Sequence, residues 1–372
     1  MNLKQAILWP LRLPYGAATY LRAAAYGSGA LRAKRLDGVV ISVGNLTVGG
    51  TGKTPMVAAI AEHLLAEGKR VGILTRGYRG EQPVNRSSGG SGSASSGVLS
   101  GRGRTSDEVR LLEARFGERV AFGVGADRFA RGRELARRGV EWFVLDDGFQ
   151  HRQLARDVDI VLIDATNPFG GGHLLPAGRL REPRSALGRV DIVVITRSER
   201  APAVEAAVRR YTEAPIFYAR AKLEYIQEIG GEGSSGSSTR GTGSASGSGG
   251  GPAGAPKATA VEMQRWFVFC GIGNPAAFIA DLRAWKFPIV GHKFFRDHHR
   301  YTQADVQAIE REAEATGASS ILCTEKDLFN LSGAVWGPAS SPFYCGISMR
   351  IDREEEFWAA VEAEVIRKRT TR

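Results

Sequence analysis

Apolar runs alternate with helix-spaced segments along most of this chain. Val39-Val40-Ile41-Ser42-Val43, Arg70-Val71-Gly72-Ile73-Leu74-Thr75, Val120-Ala121-Phe122-Gly123-Val124, Glu141-Trp142-Phe143-Val144-Leu145, Val158-Asp159-Ile160-Val161-Leu162-Ile163 and Val190-Asp191-Ile192-Val193-Val194-Ile195 are rich in β-branched residues and nearly continuous in their apolarity. Strands of this kind are buried on both faces. Between them, Ala58, Ile60, Ala61, Leu64 and Leu65 recur at helical spacing, as do Val109, Leu111, Leu112 and Phe116, and an Arg-rich helix is expected from Ala126 to Arg138. The alternation predicts an α/β fold whose parallel sheet is covered by helices on both faces.

The first strand breaks into glycines: Val43-Gly44-Asn45-Leu46-Thr47-Val48-Gly49-Gly50-Thr51-Gly52-Lys53-Thr54-Pro55. Strand, loop and helix start follow one another as a phosphate-binding P-loop requires. Residues Thr47, Val48, Gly49, Gly50, Thr51, Gly52, Lys53 and Thr54 form the candidate nucleotide loop. Its glycines let backbone N–H groups turn toward an anion, Lys53 adds a point charge for the outer phosphates, and the Thr54 hydroxyl suits magnesium. Thr47 stands where the strict motif has its first glycine. A Gly-rich turn without a ligand is the plainer alternative.

The other chemistry-bearing stretches also lie at strand ends, where ligands bind in such sheets. Arg76 and Arg79 in Arg76-Gly77-Tyr78-Arg79-Gly80 either hold phosphate or substrate, or are solvated loop charges. Asp107 and Glu108 follow Thr105-Ser106, an N-cap-like start, so they either favour a helix N-terminus or serve as base and magnesium ligands. Asp146 and Asp147 end an apolar strand; crowding two carboxylates there is costly unless a cation joins them, and capping aspartates in a turn are the alternative. Residues 170–183 are rich in Gly and Pro and describe a shaped loop, with Arg179 and Arg181 suited to grip a phosphorylated substrate if it is more than a connection. His298, beside Asp297, either tunes another carboxylate across a cleft or is a structural histidine, and the partner of Thr324-Glu325-Lys326-Asp327 is not readable from spacing.

Two stretches interrupt the pattern. Residues 81–104 and 230–257 are Gly/Ser-rich with almost no core-forming side chains, and are expected as flexible inserts. The second insert reads as an enlarged turn between two paired strands, 215–226 and 264–270. Beyond it, Gly271-Ile272-Gly273-Asn274-Pro275 opens a helix, and its lone Gly-x-Gly assigns no cofactor. The expected organisation is therefore a P-loop nucleotide-binding parallel-sheet domain over 38–214, an extended two-stranded linker over 215–269, and a second, smaller α/β domain over 270–372. Ahead of these, residues 1–37 interleave aromatics and leucines with Lys4, Arg12, Arg22, Arg32, Lys34 and Arg35. No run there reaches the ~18 apolar residues of a membrane span. The segment suits an anionic membrane interface or a first helix packed on the body, with Pro10 and Pro14 expected to break or kink any helix.

A length of 372 residues and 43% hydrophobic content accommodate two domains with cores, and a formal charge of +11 points to an acidic partner. Cys270, Cys323 and Cys345 lack paired C-x-x-C spacing, so neither a disulfide framework nor a zinc site is indicated. A nucleotide-dependent switch GTPase would carry an Asn-Lys-x-Asp motif, of which Thr324-Glu325-Lys326-Asp327 is only a loose echo. A basic nucleic-acid-binding ATPase would concentrate its basic residues, which here are scattered or gathered in the aromatic N-terminus; no nucleic acid is expected as a partner.

Taken in order, the phosphate loop, Arg76-Gly77-Tyr78-Arg79-Gly80, Ser106-Asp107-Glu108, Asp146-Asp147-Gly148-Phe149-Gln150-His151, Pro176-Ala177-Gly178 with Arg181-Glu182-Pro183, Asp297-His298 and Thr324-Glu325-Lys326-Asp327 resemble the tetraacyldisaccharide 4'-kinases of lipid A biosynthesis. The resemblance implies transfer of the ATP γ-phosphoryl group, with Mg2+, to the 4'-hydroxyl of an acylated glucosamine disaccharide 1-phosphate, giving lipid IVA at the cytoplasmic face of the inner membrane. It further implies that Asp107 is the base, that His298 assists it, that Glu108, Asp146 and Asp147 belong to the metal and phosphate region, and that the N-terminal segment docks on the membrane. The chain departs from the family pattern at Val109, where proline is usual, and in its two inserts.

Overall fold

The computed structural model describes residues 9–77, 98–99, 106–229, 263–331, 333–338, 340 and 342–371. Arg79, residues 1–8 and the second insert fall outside the described residues, as does most of the first. The chain forms two compact units, one of residues 1–221 and 349–372, the other of residues 222–348.

The first unit is built on parallel strands β1 (Val39–Asn45), β2 (Val71–Thr75), β3 (Val98–Leu99), β4 (Ala121–Val124), β5 (Trp142–Asp146), β6 (Val158–Asp164), β7 (Ile192–Thr196) and the start of β8 (Ile216–Glu228). Their order is β8-β7-β6-β1-β5-β2-β4-β3, with every pair parallel. The fold is the expected P-loop α/β class. Non-consecutive neighbours require crossovers, which the helices supply: α2 (Lys53–Ala66), α3 (Asp107–Phe116), α4 (Arg128–Arg137) and α5 (Pro202–Arg209). Alternation along the strands divides the core. Val39, Ile41 and Val43 pack with Met56, Ile60 and Leu64 of α2 on one face, while Val40 turns to the other with Leu36, Leu135 and Phe143. Both faces are dry, which explains the nearly continuous apolar runs.

Helix α1 (Arg12–Gly27) precedes the sheet and buries none of its residues; Leu11, Leu13, Tyr20 and Leu21 are between 52% and 70% exposed. Pro14 was expected to break such a helix. It falls instead in the first turn, where its missing N–H has no intrahelical partner to lose.

In the second unit, β9 (Trp266–Cys270), β10 (Ile289–Phe294), β11 (Ser320–Thr324) and β12 (Pro342–Ile351) are ordered β10-β9-β11-β12, again in parallel pairs. Trp266, Val268 and Cys270 face Phe278, Ile279 and Leu282 of α6 (Pro275–Ala284). Phe267 and Phe269 face Val306, Ile309 and Ala313 of α7 (Gln303–Ala315). All three cysteines are buried free thiols.

Three expectations from the sequence are corrected. β8 and β9 are not paired across the second insert: β8 neighbours β7 and β12, whereas β9 neighbours β10 and β11. Val98 and Leu99, inside the first Gly/Ser insert, form a short strand beside β4. Residues 349–372, expected in the smaller domain, group with the first unit, because Phe357, Trp358, Val361 and Val365 of helix α9 (Glu354–Thr370) join the core that holds Ile41, Ile160 and Val194.

Candidate active site

The end of β1 and the start of α2 set the site. Asn45 closes the strand in a fully buried position, and its amide donates to Thr51 Oγ1 at 3.0 Å while its carbonyl oxygen accepts from Lys53 Nζ at 3.3 Å. The loop between them needs left-handed backbone at Gly49 (φ +123°) and at Gly52 (φ +89°), which caps α2. At Gly52 a Cβ would stand 2.8 Å from Met349 Cε, a side-chain end that can move aside, so it is the backbone conformation that calls for glycine. Lys53 and Thr54 then occupy the first turn of a 14-residue helix, where unpaired backbone N–H groups and the helix dipole favour an anion.

The carbonyl side of the loop is held from outside. Arg179 donates from Nε and a terminal nitrogen to Val48 O at 3.1 and 2.9 Å, Arg197 donates to Gly50 O at 3.1 Å, and Thr196 Oγ1 donates to Thr51 O at 3.1 Å. Three carbonyls of the loop are engaged in this way. Thr47 is buried and pairs with Leu180 in an isolated antiparallel bridge.

At the end of β5 the two aspartates diverge. Asp147 lies 3.5 Å from Lys53 Nζ and accepts from Arg181 at 2.8 and 2.7 Å on its two oxygens. Burial pushes its carboxyl up, but Lys53, Arg181 and Arg128 outweigh burial and hold it below the usual carboxylate range. Asp146 is buried and accepts from Thr75 Oγ1 at 3.1 Å, and burial together with the charges of Asp147 and Glu108 raises it to about 6 against the pull of Lys53. The same fields show that Glu108 is within electrostatic reach of Asp146. Asp107 and Glu108 open α3, whose Ser106 cap accepts from Val109 N–H at 3.4 Å. Val109, the residue that departs from the family pattern, is fully buried and starts the helix without disruption.

Beside this cluster lies a cavity of about 510 Å³ lined by Arg22, Arg76, Arg128, Arg152 and Arg181, with His151, Gln150 and Tyr15 among its other walls. Val48 and Asp147 line it too, so cavity and loop are contiguous. Burial and the neighbouring Arg128 and Arg156 push the His151 imidazole down to about 4, which keeps it neutral and able to accept from Arg128 at 2.9 Å. Helix α1 supplies one wall, tied down by Tyr15 Oη donating to Arg181 O at 2.9 Å.

Of the arginines expected to contact substrate, Arg76 and Arg181 reach this cavity, whereas Arg179 is spent on Val48. His298 belongs to the second unit, in left-handed backbone (φ +59°) with Nε2 3.8 Å from Asp297. Among the described residues no group of three or more His, Cys, Asp or Glu converges as an all-protein metal cage. A magnesium ion shared with phosphates needs only one or two carboxylates, and Thr54, Glu108, Asp146 and Asp147 are the all-oxygen donors available for one. The sequence reading missed Asn45 as a loop brace, Thr75, and the cavity residues Arg22, Arg128 and Arg152. Only Asn45 carried a signal, as a polar residue closing an apolar strand.

A family model described as tetraacyldisaccharide-1-P 4'-kinase matches residues 4–366. The chain belongs to the tetraacyldisaccharide 4'-kinase family. It is thus a kinase of lipid A biosynthesis, and the switch and nucleic-acid ATPase alternatives are not favoured. The chain is similar to the tetraacyldisaccharide 4'-kinases of Anaeromyxobacter sp. (strain K), 37% identical over 88% of this chain and 81% of that one, and of Geobacter metallireducens, 38% identical over 88% of each. It is also similar to a crystal structure of the "apo" form of LpxK from Aquifex aeolicus in complex with ATP. There the TM-score is 0.66 at 28% identity, over 98% of this chain and 100% of that one.

Proposed function

We propose that the chain transfers the γ-phosphoryl group of ATP to the 4'-hydroxyl of a tetraacyldisaccharide 1-phosphate, working from the inner membrane surface. The observation that carries this reading is the contact between donor loop and cavity: Asp147 pairs with Lys53 of the phosphate loop, pairs with Arg181, and lines the arginine-walled cavity. A nucleotide held on residues 47–54 would thereby face a second anionic ligand whose phosphate the guanidinium groups neutralise.

Phosphoryl transfer asks the protein mainly for positioning and charge neutralisation. Lys53 and the N-terminus of α2 receive the outer phosphates. Thr54, Asp146, Asp147 and Glu108 would hold magnesium, which when bound neutralises charge on the phosphates. Crowding at Asp146, where like charges and burial oppose ionisation, is the condition a cation relieves. Asp107 takes the proton of the acceptor hydroxyl, and His298 assists it. The exposed Leu11 ahead of α1 and Leu13, Tyr20 and Leu21 on it, with the basic residues around them, support peripheral docking on an anionic membrane, and no helix among the described residues is long and apolar enough to cross one.

The experiment is incubation of purified protein with labelled ATP and a tetraacyldisaccharide 1-phosphate in detergent, with the lipid phase read for label. Asp107→Ala and His298→Ala should each lower turnover far more than they change the KM for ATP. Full turnover in either variant would remove that residue's role.

A further inference from the structure

The Thr324-Glu325-Lys326-Asp327 stretch closes β11 and starts α8 (Glu325–Leu328), a single helical turn. Asp327 is only 1% exposed, a rare situation for a carboxylate without strong partners. Its Oδ2 accepts from Thr324 N–H at 3.3 Å, as a capping box requires, and also from Thr324 Oγ1 at 2.5 Å, and that much is local. Its second oxygen reaches across the unit instead. Oδ1 accepts from Gly271 N–H at 2.8 Å and from Tyr301 Oη at 2.7 Å.

Both partners lead to His298. Gly271 O accepts from His298 N–H at 3.0 Å, so one residue connects the Asp327 carboxylate to the His298 backbone. Gly271 is squeezed as well: a Cβ there would stand 3.0 Å from Arg296 O and 3.1 Å from His299 Cβ. Tyr301 anchors the far side of the same segment, its N–H donating to Asn330 O at 3.1 Å. Lys326, the neighbour of Asp327, holds Asp297 at 3.1 Å. His298 itself has φ +59°, a conformation that a residue with a Cβ keeps only when its surroundings over-determine it. These bonds are among the surroundings that do so.

We infer that Asp327, with Lys326, is a positioning residue for the phosphoryl-transfer reaction, holding the Asp297–His298 turn in its left-handed form through Gly271 and Asp297. The inference rests on the role given to His298 above. Asp327 touches no reacting group; it acts by fixing where the imidazole is carried. A buried charge aimed at a backbone amide suits this task, since a charge-assisted bond to N–H is stronger and more directional than a neutral one.

The test is a double-mutant cycle in kcat on the full chain, with Asp327→Asn and Lys326→Met each made alone and combined with His298→Ala. Lys326 is only partly buried, so Lys326→Met keeps the test available should Asp327→Asn fail to fold; thermal melting checks both. The expected result is an about ten- to hundredfold fall in kcat for Asp327→Asn and a smaller one for Lys326→Met, with the KM for ATP unchanged. Neither substitution should lower kcat further once His298 is alanine. Full kcat in the folded variants, or losses that multiply with that of His298→Ala as independent structural damage would, overturns the inference while leaving His298 its role. Full turnover in His298→Ala alone overturns that role, and the inference with it.

Discussion

Lys53 and Asp147 face each other at the mouth of the phosphate loop, Nζ 3.5 Å from Oδ1, and Asn45 Oδ1 steadies the same ammonium at 3.3 Å. Lys53 is therefore aimed before any nucleotide arrives. Replacing it with methionine keeps most of the stem and removes the charge, so loss of function would come from the missing donor to the phosphates. Lys53→Met should lower kcat/KM for ATP by about 10²–10³ with the melting temperature little changed. Steady-state kinetics with calorimetry on the same preparation checks both parts.

Asp146 makes the ligand-free fold pH-sensitive. Its carboxyl is raised to about 6 in the folded chain, so protonation favours the fold. That contribution is fully present below the unfolded carboxylate range and is lost as pH rises through about 6. Above that, the ionised side chain costs up to about 3 kcal/mol. Asp146→Asn keeps an oxygen for the Thr75 hydroxyl and removes the charge. It should melt higher than the parent at pH 8, and the gain should vanish near pH 3.5, while kinase activity is lost. Thermal melts across that range without nucleotide or magnesium decide it; an equal gain at both ends would place the effect in packing instead.

The outer face of α1 carries the prediction for membrane binding. Leu13 and Leu21 are largely exposed, and burying a leucine is worth about 1.5–3 kcal/mol. Leu13→Glu with Leu21→Glu should weaken sedimentation with anionic vesicles by at least about tenfold. Activity on detergent-dispersed substrate should persist, because the wall α1 gives to the cavity uses Tyr15, Thr19, Arg22 and Ala23.

What the sequence made legible follows from how each requirement is encoded. The phosphate loop was readable because the backbone at Gly49 and Gly52 admits little but glycine, and the carboxylate pair because it ends an apolar strand. Pairings set by tertiary packing left no such trace. Arg179 and Arg181 look alike in sequence, yet one reaches Val48 and the other Asp147. Arg128 reads as one more charge on an Arg-rich helix, although the fold buries it against His151 at the cavity. Asp327 and Gly271 are 56 positions apart, so nothing local connects them. The second Gly/Ser insert misled because hairpin logic pairs the strands on either side of a turn, whereas β8 takes β12 as its neighbour.

The C-terminal helix is where that kind of error has the largest energetic consequence. α9 has an acidic first turn, Glu354, Glu355 and Glu356, and a basic last turn, Arg367, Lys368 and Arg369, so its charges complement its own dipole. It would pass for a free-standing surface helix of the last domain. Its fully buried Phe357 instead stands edge-on to Phe217, ring centroids 5.4 Å apart, while Trp358 stacks on His63 of α2 at 3.6 Å, and Lys368 reaches Asp191 at 2.5 Å. Truncating a buried phenylalanine costs about 3–5 kcal/mol, a large share of a domain's stability. Phe357→Ala should thus lower the urea midpoint and raise hydrogen exchange in β1 and β6, whose Ile41 and Ile160 share its core. Were the helix packed only on the second unit, the same substitution would loosen β9 and β11 and leave β1 protected; exchange measured strand by strand separates the two.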